Sequence, residues 1–238
     1  MVRVKICGVT NIEDALLAAE LGADAIGLNF YSQSRRCISP YTAGEIASQL
    51  PPFVSSVGVF VNWEAVPVVA LASALHLSAV QLHGDELPGV ASEIARKTCV
   101  IKAFRVAQGT VLPAFSKYKS ASAFLLDAAA ADKFGGTGQQ TDWTRAASAA
   151  KSHRIILAGG LSPENVAEAI RTVRPYAVDV ASGVESKPGK KDPGKLRAFF
   201  AAVSGVNESP APSKSTASKG KVDPFVGRWE LDLSRRRI

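Results

Sequence analysis

Arg154-Ile-Ile-Leu-Ala-Gly-Gly-Leu-Ser-Pro-Glu-Asn-Val-Ala-Glu-Ala-Ile-Arg-Thr-Val173 spells out one folding unit. Arg154 to Gly159 is a short, continuous apolar run, the pattern of a strand buried on both faces. Gly159-Gly160 interrupts it, and Ser162-Pro163 supplies an N-cap followed by proline at the first helical position. Val166, Ala169, Ile170 and Val173 then stand at i, i+3, i+4 and i+7, which lays one apolar stripe along a helix. A second apolar run, Tyr176 to Ala181, follows at once. Strand, helix, strand in this order is the alternation of a parallel sheet.

The same alternation extends to the N-terminus. Apolar runs cover Val2 to Cys7, Asp24 to Phe30, Val54 to Val61, Ala79 to His83, Cys99 to Val106 and Ala123 to Asp127. Ile12/Ala15/Leu16/Ala19 and Ala43/Ile46/Ala47/Leu50 repeat the helical stripe. Thr10 with Glu13 reads as a capping box, and Ser39-Pro40 and Asp192-Pro193 as further helix starts. The total is eight strands and eight helices in roughly 200 residues, the number that closes an α/β chain into a (β/α)8 or TIM barrel. An open doubly wound sheet would normally use fewer strands, and no Gly-x-Gly-x-x-Gly follows the first one. Residues 1–203 are assigned to the barrel, the catalytic domain of the reading below.

The remainder, 204–238, is rich in Ser, Pro and Lys without apolar periodicity, so it cannot offset its ordering entropy by burial and reads as a disordered tail. It holds seven of the 28 Lys and Arg and four of the 21 Asp and Glu. The net charge of +7 therefore divides into +3 for the tail and +4 for the body, too mild an excess to imply nucleic-acid binding. Three widely spaced cysteines, Cys7, Cys37 and Cys99, suggest reduced thiols and neither a disulfide framework nor a zinc site. With charges in the first residues and no apolar window of membrane-spanning length, a cytoplasmic protein with no membrane contact is expected.

In such a barrel the chemistry belongs where strands end. Cys7, Gln81, His83, Asp127, Gly159-Gly160 and Ser182-Gly183 stand there, with Arg35-Arg36 in the loop after the second strand and Gly135-Gly-Thr-Gly138 in the loop after the sixth. The glycines after strands seven and eight, beside a helix start, suit a phosphate, although Gly159-Gly160 would also serve as a plain tight turn. Asp127 closes an apolar strand, where burial favours the protonated acid; a solvated aspartate is the alternative. Cys7 lies near the Thr10 helix start, whose N–H groups would favour a thiolate, but small buried cysteines are also common. A guanidinium at Arg36 matches a carboxylate or phosphate in two-point fashion. No carboxylate and histidine cluster has metal-ligand spacing, so no metal is expected.

Lys5-Ile-Cys-Gly-Val-Thr10, Gly58-Val-Phe-Val-Asn62, Val80-Gln-Leu-His-Gly-Asp-Glu86, Gly135-Gly-Thr-Gly138, Leu157-Ala-Gly-Gly-Leu-Ser-Pro-Glu-Asn165 and Asp179-Val-Ala-Ser-Gly-Val-Glu185, taken in order, resemble the phosphoribosylanthranilate isomerases of tryptophan biosynthesis. The resemblance covers residues 1 to about 203. It implies an isomerase that performs an Amadori rearrangement on a small phosphorylated substrate by general acid/base catalysis with no cofactor, in a monomer or homodimer. It places the general base on Cys7 and the general acid on Asp127. The anthranilate carboxylate falls to Arg36, the phosphate to the backbone around Gly159, Gly160, Ser182 and Gly183, and the walls to Gln81, His83 and Asp179. Two positions depart from the family pattern: Ala181 replaces a serine beside Ser182, and Cys37 replaces an aromatic residue beside Arg36. Indole-glycerol-phosphate synthase would need lysines at strand ends, and the histidine-pathway isomerase an aspartate in place of Cys7. An idle barrel with a nucleic-acid-binding tail would not need the Cys7 and Asp127 pair.

Overall fold

Each apolar run becomes a strand, most of them trimmed at one or both ends, although Cys99 to Val106 is strand throughout and the run from Ala123 continues to Ala128. The structure, a computed structural model, describes residues 1–106, 112–128 and 142–207. Its strands are β1 (Arg3–Cys7), β2 (Ala25–Asn29), β3 (Ser55–Phe60), β4 (Ala79–Leu82), β5 (Cys99–Val106), β6 (Ala123–Ala128), β7 (Ile155–Leu157) and β8 (Ala177–Val180). Each pairs in parallel with its successor, and β8 returns to β1, with Lys5 opposite Asp179 across the closing seam. The closed eight-stranded barrel expected from the alternation is what forms. The Gly135 to Gly138 motif and the tail beyond Asn207 lie outside the described residues.

Seven α-helices cover the barrel among the described residues: α1 (Ile12–Glu20), α2 (Pro40–Gln49), α3 (Ala65–Ala74), α4 (Pro88–Ala95), α5 (Trp143–Ala150), α6 (Val166–Val173) and α7 (Pro193–Asn207). None is long and apolar enough to cross a membrane. Between β5 and β6 the described chain holds a 3-10 helix, Phe115–Tyr118, where an eighth α-helix was expected. Pro113 precedes it, and Phe115 and Tyr118, three residues apart, both pack on Phe104, an arrangement that suits a three-residue turn. The stripe of α6 is buried at all four expected positions. Helix α7 runs through Asn207, past the expected boundary at Val203.

Two helix starts differ from expectation. The Thr10 hydroxyl donates to the Gly189 carbonyl, so Asn11 caps α1 by accepting the Asp14 N–H at 2.9 Å. The buried face of α1 then centres on Asp14, Ala15 and Ala18, leaving Leu16 exposed. Asp14 tolerates burial because it accepts the Lys191 N–H at 2.7 Å and pairs with Lys190. The second difference is at Ser162-Pro163. Asn165 Oδ1 accepts the Ser162 N–H at 2.9 Å, and its Nδ2 donates to the Gly160 carbonyl at 2.8 Å. That closed turn postpones α6 to Val166.

Alternation along the strands separates two cores. Outward residues such as Ile6, Ile26, Leu82 and Leu126 pack under the helices, and inward residues such as Val57, Ile101, Leu125 and Ile156 fill the barrel. Helix α7 locks onto the outer core through Leu196, Phe199, Phe200 and Val203, an i, i+3, i+4, i+7 stripe. Phe199 is fully buried there. Phe199→Ala is expected to destabilise the fold by about 3–5 kcal/mol, seen as a lower urea midpoint with little change in slope. An unchanged midpoint would show that α7 does not hold the barrel.

Candidate active site

Beyond the interior apolar residues, the inward positions nearest the strand ends turn polar. On β1, Lys5 and Cys7 share the inner face, two residues apart. The register sets Cys7 against Gly27 of β2 and Lys5 against Asp179 of β8. Gly27 is required by space: a Cβ there would sit 2.8 Å from Cys7 Sγ and 3.1 Å from Lys5 Nζ. Lys5 Nζ donates to Asp179 Oδ1 at 2.8 Å, and both side chains are buried. Cys7 is half-buried.

A short hairpin after β8, formed by β9 (Glu185–Lys187) and β10 (Lys190–Lys191), completes this side of the rim. Its Glu185 accepts Arg36 Nε at 2.8 Å and Arg36 Nη2 at 2.7 Å, a two-point ion pair. Arg36 crosses directly over Gly8, whose φ of 68° and missing Cβ let it pass. Buried Lys191 spends its three N–H groups on the carbonyls of Cys7 (2.7 Å) and Ala181 (3.2 Å) and on Glu185 Oε1 (3.0 Å). Arg36 thus has one fork on Glu185, and its Nη1/Nη2 edge forms a second for a carboxylate.

On the far side, Gln81 and His83 share the inner face of the β4 strand end. Gln81 Nε2 donates to His83 Nδ1 at 2.7 Å, and His83 Nε2 meets Asp127 Oδ2 at 3.3 Å. An amide nitrogen can only donate, so Nδ1 accepts and the Nε2–H points at Asp127. Gln81 is fully buried, and its Oε1 has no hydrogen-bond partner among the described residues. Asp127 is 7% exposed. Lys102 and Glu86, a buried pair at 2.7 Å, fasten the β4 loop below: Lys102 donates to the Leu82 and Gly84 carbonyls and Glu86 accepts the Asn62 and Gly84 N–H groups.

The loops after β7 and β8 touch. Gly159 and Gly160 both have positive φ, 84° and 65°, turning the chain sharply at the end of β7. A Cβ on Gly183 would collide with the Leu161 carbonyl, so only glycine lets the two loops meet. Gly159, Gly160, Ser182 and Gly183 are thereby gathered on one rim segment, on the N-terminal side of α6, where the helix dipole favours an anion.

Charge at Cys7 is set by opposing forces. Burial pushes the thiol above its ordinary value, Lys5 and more weakly Lys191 pull it down, and Asp179 adds to the rise. Helix α1 starts at Ile12, two residues beyond the Thr10 start expected to favour the thiolate, and the lysines pull in the same direction. Glu185 would be raised by burial, but the Arg36 hydrogen bonds and Lys191 hold it below the usual carboxylate range.

The family model for N-(5'-phosphoribosyl)anthranilate (PRA) isomerase matches residues 4–202. The chain belongs to this family. The isomerase of Citrifermentans bemidjiense is 51% identical over 201 residues, covering 84% of this chain and 96% of that protein. The crystal structure of the Thermus thermophilus phosphoribosylanthranilate isomerase superposes with a TM-score of 0.79 at 44% identity, covering 86% of this chain and 99% of that one. A second family structure, described as a complex with reduced 1-(o-carboxyphenylamino)-1-deoxyribulose 5-phosphate, gives 0.73 at 44% identity, covering 86% and 100%. The chain is accordingly an enzyme, an isomerase of a tryptophan-biosynthetic family.

Among the described residues no cluster of His, Cys, Asp and Glu could hold a metal ion. The rim residues that strand ends alone did not single out are Lys5, Glu185 and Lys191. Glu185 gives a direct test of the network. Its lowered pKa means that it stabilises the fold at neutral pH and that this contribution fades as pH falls through its folded-state titration. Glu185→Gln is therefore expected to be less stable than the parent near pH 7, with the gap narrowing on acidification, as read from urea midpoints across pH. A gap that widens in acid would reverse the assignment.

Proposed function

We propose that this chain converts N-(5'-phosphoribosyl)anthranilate to 1-(2-carboxyphenylamino)-1-deoxyribulose 5-phosphate by general acid/base chemistry alone. The observation that carries this is the pair of inward-facing groups at one rim, Cys7 ending β1 and Asp127 on β6, in a member of this family. Asp127 gives its proton to the furanose ring oxygen, the C1'–O bond breaks, and an iminium forms. Cys7, as thiolate, takes the C2' proton; the electrons of that C–H bond form the C1'=C2' bond while the C1'=N pair returns to nitrogen, giving an enolamine that tautomerises to the ketone. The pair is left as thiol and carboxylate and is reset through solvent.

The remaining groups bind and orient. The second fork of Arg36 takes the anthranilate carboxylate, held rigid by Glu185. The backbone around Gly159, Gly160, Ser182 and Gly183 takes the phosphate; Ala181 removes a hydroxyl there but no N–H, so weaker phosphate binding is the most it costs. His83 orients Asp127, Gln81 acts through His83, and Asp179 acts through Lys5. Every group in the scheme comes from one chain, so a monomer or a homodimer would serve, in the cytoplasm, with neither nucleic acid nor membrane.

The assay follows loss of phosphoribosylanthranilate fluorescence, the substrate being generated in place from anthranilate and phosphoribosyl pyrophosphate by a phosphoribosyltransferase. Cys7→Ser and Asp127→Asn are each expected to lower kcat by about 10²–10⁴-fold with KM little changed, while Arg36→Met raises KM. Near-parent turnover of Cys7→Ser would remove Cys7 from the role of base. Deleting residues 208–238 is expected to leave kcat within about twofold, since no group of the scheme lies there. Loss of activity in a folded deletion protein would assign the tail a part in the site.

A further inference from the structure

Three cations and two carboxylates converge around Cys7. Lys5 from the same strand, Lys191 from β10 and Arg36 from the loop after β2 face it; Asp179 from β8 and Glu185 from the hairpin oppose them. Asp14 and Lys190 form their own pair outside this set. By formal charge the cations exceed the carboxylates by one, although burial draws Lys191 below the usual lysine range. A thiolate at Cys7 would close that balance, and burial of the thiol opposes it.

The hydrogen bonds say which cation matches it. Lys191 has given all three N–H groups to oxygen atoms, and Arg36 has turned one fork to Glu185. Lys5 has given one to Asp179, and a negative sulfur at Cys7 favours its charge. Its Nζ and Cys7 Sγ both lie about 3 Å from the point where a Gly27 Cβ would stand. We infer that Lys5 is the positioning residue for Cys7, a buried ammonium held in place by Asp179 that stabilises the thiolate needed for proton abstraction. The inference rests on reading Cys7 as the base and adds what makes that base available. It also accounts for a lysine kept inside an apolar barrel: burial works against its charge, but Asp179 and Cys7 overcome that and hold its pKa above the usual lysine value. Lys5 therefore stays charged wherever Cys7 titrates.

The test reads thiol ionisation, not turnover. In a Cys37→Ser/Cys99→Ser background, Cys7 is the only thiol, and its alkylation rate by iodoacetamide is followed by intact mass as a function of pH. Lys5→Met is expected to move the midpoint up by about one unit or more, because it removes the nearest positive charge. Asp179→Asn is expected to move it down, because Lys5 then answers to the sulfur alone. Lys5→Arg keeps the charge and leaves the midpoint near the parent's. Should Lys5→Met fail to fold, Lys5→Gln, which keeps a polar partner for Asp179 but no charge, takes its place with the same upward shift expected. A merely structural pair predicts no opposed shifts; an unmoved midpoint in Lys5→Met, or an upward one in Asp179→Asn, would overturn the inference. Opposed shifts alongside normal turnover by Cys7→Ser would uphold the counter-charge and remove only the base assignment.

Discussion

Closing a ring of eight strands sets Lys5 of the first strand beside Asp179 of the last, and the apolar barrel interior tolerates that lysine because a carboxylate lies 2.8 Å away. Burying two ions costs several kcal/mol each, so such a pair is weak evidence for stability, and removing one partner is far more damaging than replacing both. Its value is positional. The pair stands at the seam where the barrel closes, one inward step below Cys7, so closing the barrel and charging the site are a single event.

A second charged layer extends this outward. Glu185 fixes Arg36 in two-point fashion while also accepting Lys191, which binds the Cys7 carbonyl from behind. The side chain that would meet a substrate carboxylate, the backbone that carries the thiol and the hairpin after the last strand are thereby one hydrogen-bonded body. Asp127 is held differently, at the end of a hydrogen-bonded chain that runs from Gln81 through His83. Cys7 and Asp127 are thus held in unlike surroundings, one facing lysines and the other an imidazole.

The barrel was legible because its strands are apolar on both faces and its helices carry marked stripes; the α6 stripe lies buried as the spacing requires. The rim candidates followed from strand ends, apart from Arg36 in a loop and Asp179, which came with the family resemblance. Lys5 was missed because a lysine inside an apolar run looks like an interruption, although the period of two that places Cys7 inward places Lys5 on the same face. Glu185 and Lys191 escaped because two strands of three and two residues leave no periodicity to read. Thr10 and Pro163 misled for a shared reason: both obey helix-start rules, yet each is drawn into a tertiary or local hydrogen bond that sequence spacing cannot register.

The central claim, that Cys7 takes a proton and Asp127 gives one, is tested most directly by the pH profile of kcat/KM for the parent and the two single variants. A base must be ionised and an acid protonated, so the account predicts a bell for the parent, with the rising limb lost in Cys7→Ser and the falling limb lost in Asp127→Asn. A bell that keeps both limbs in Cys7→Ser would contradict it.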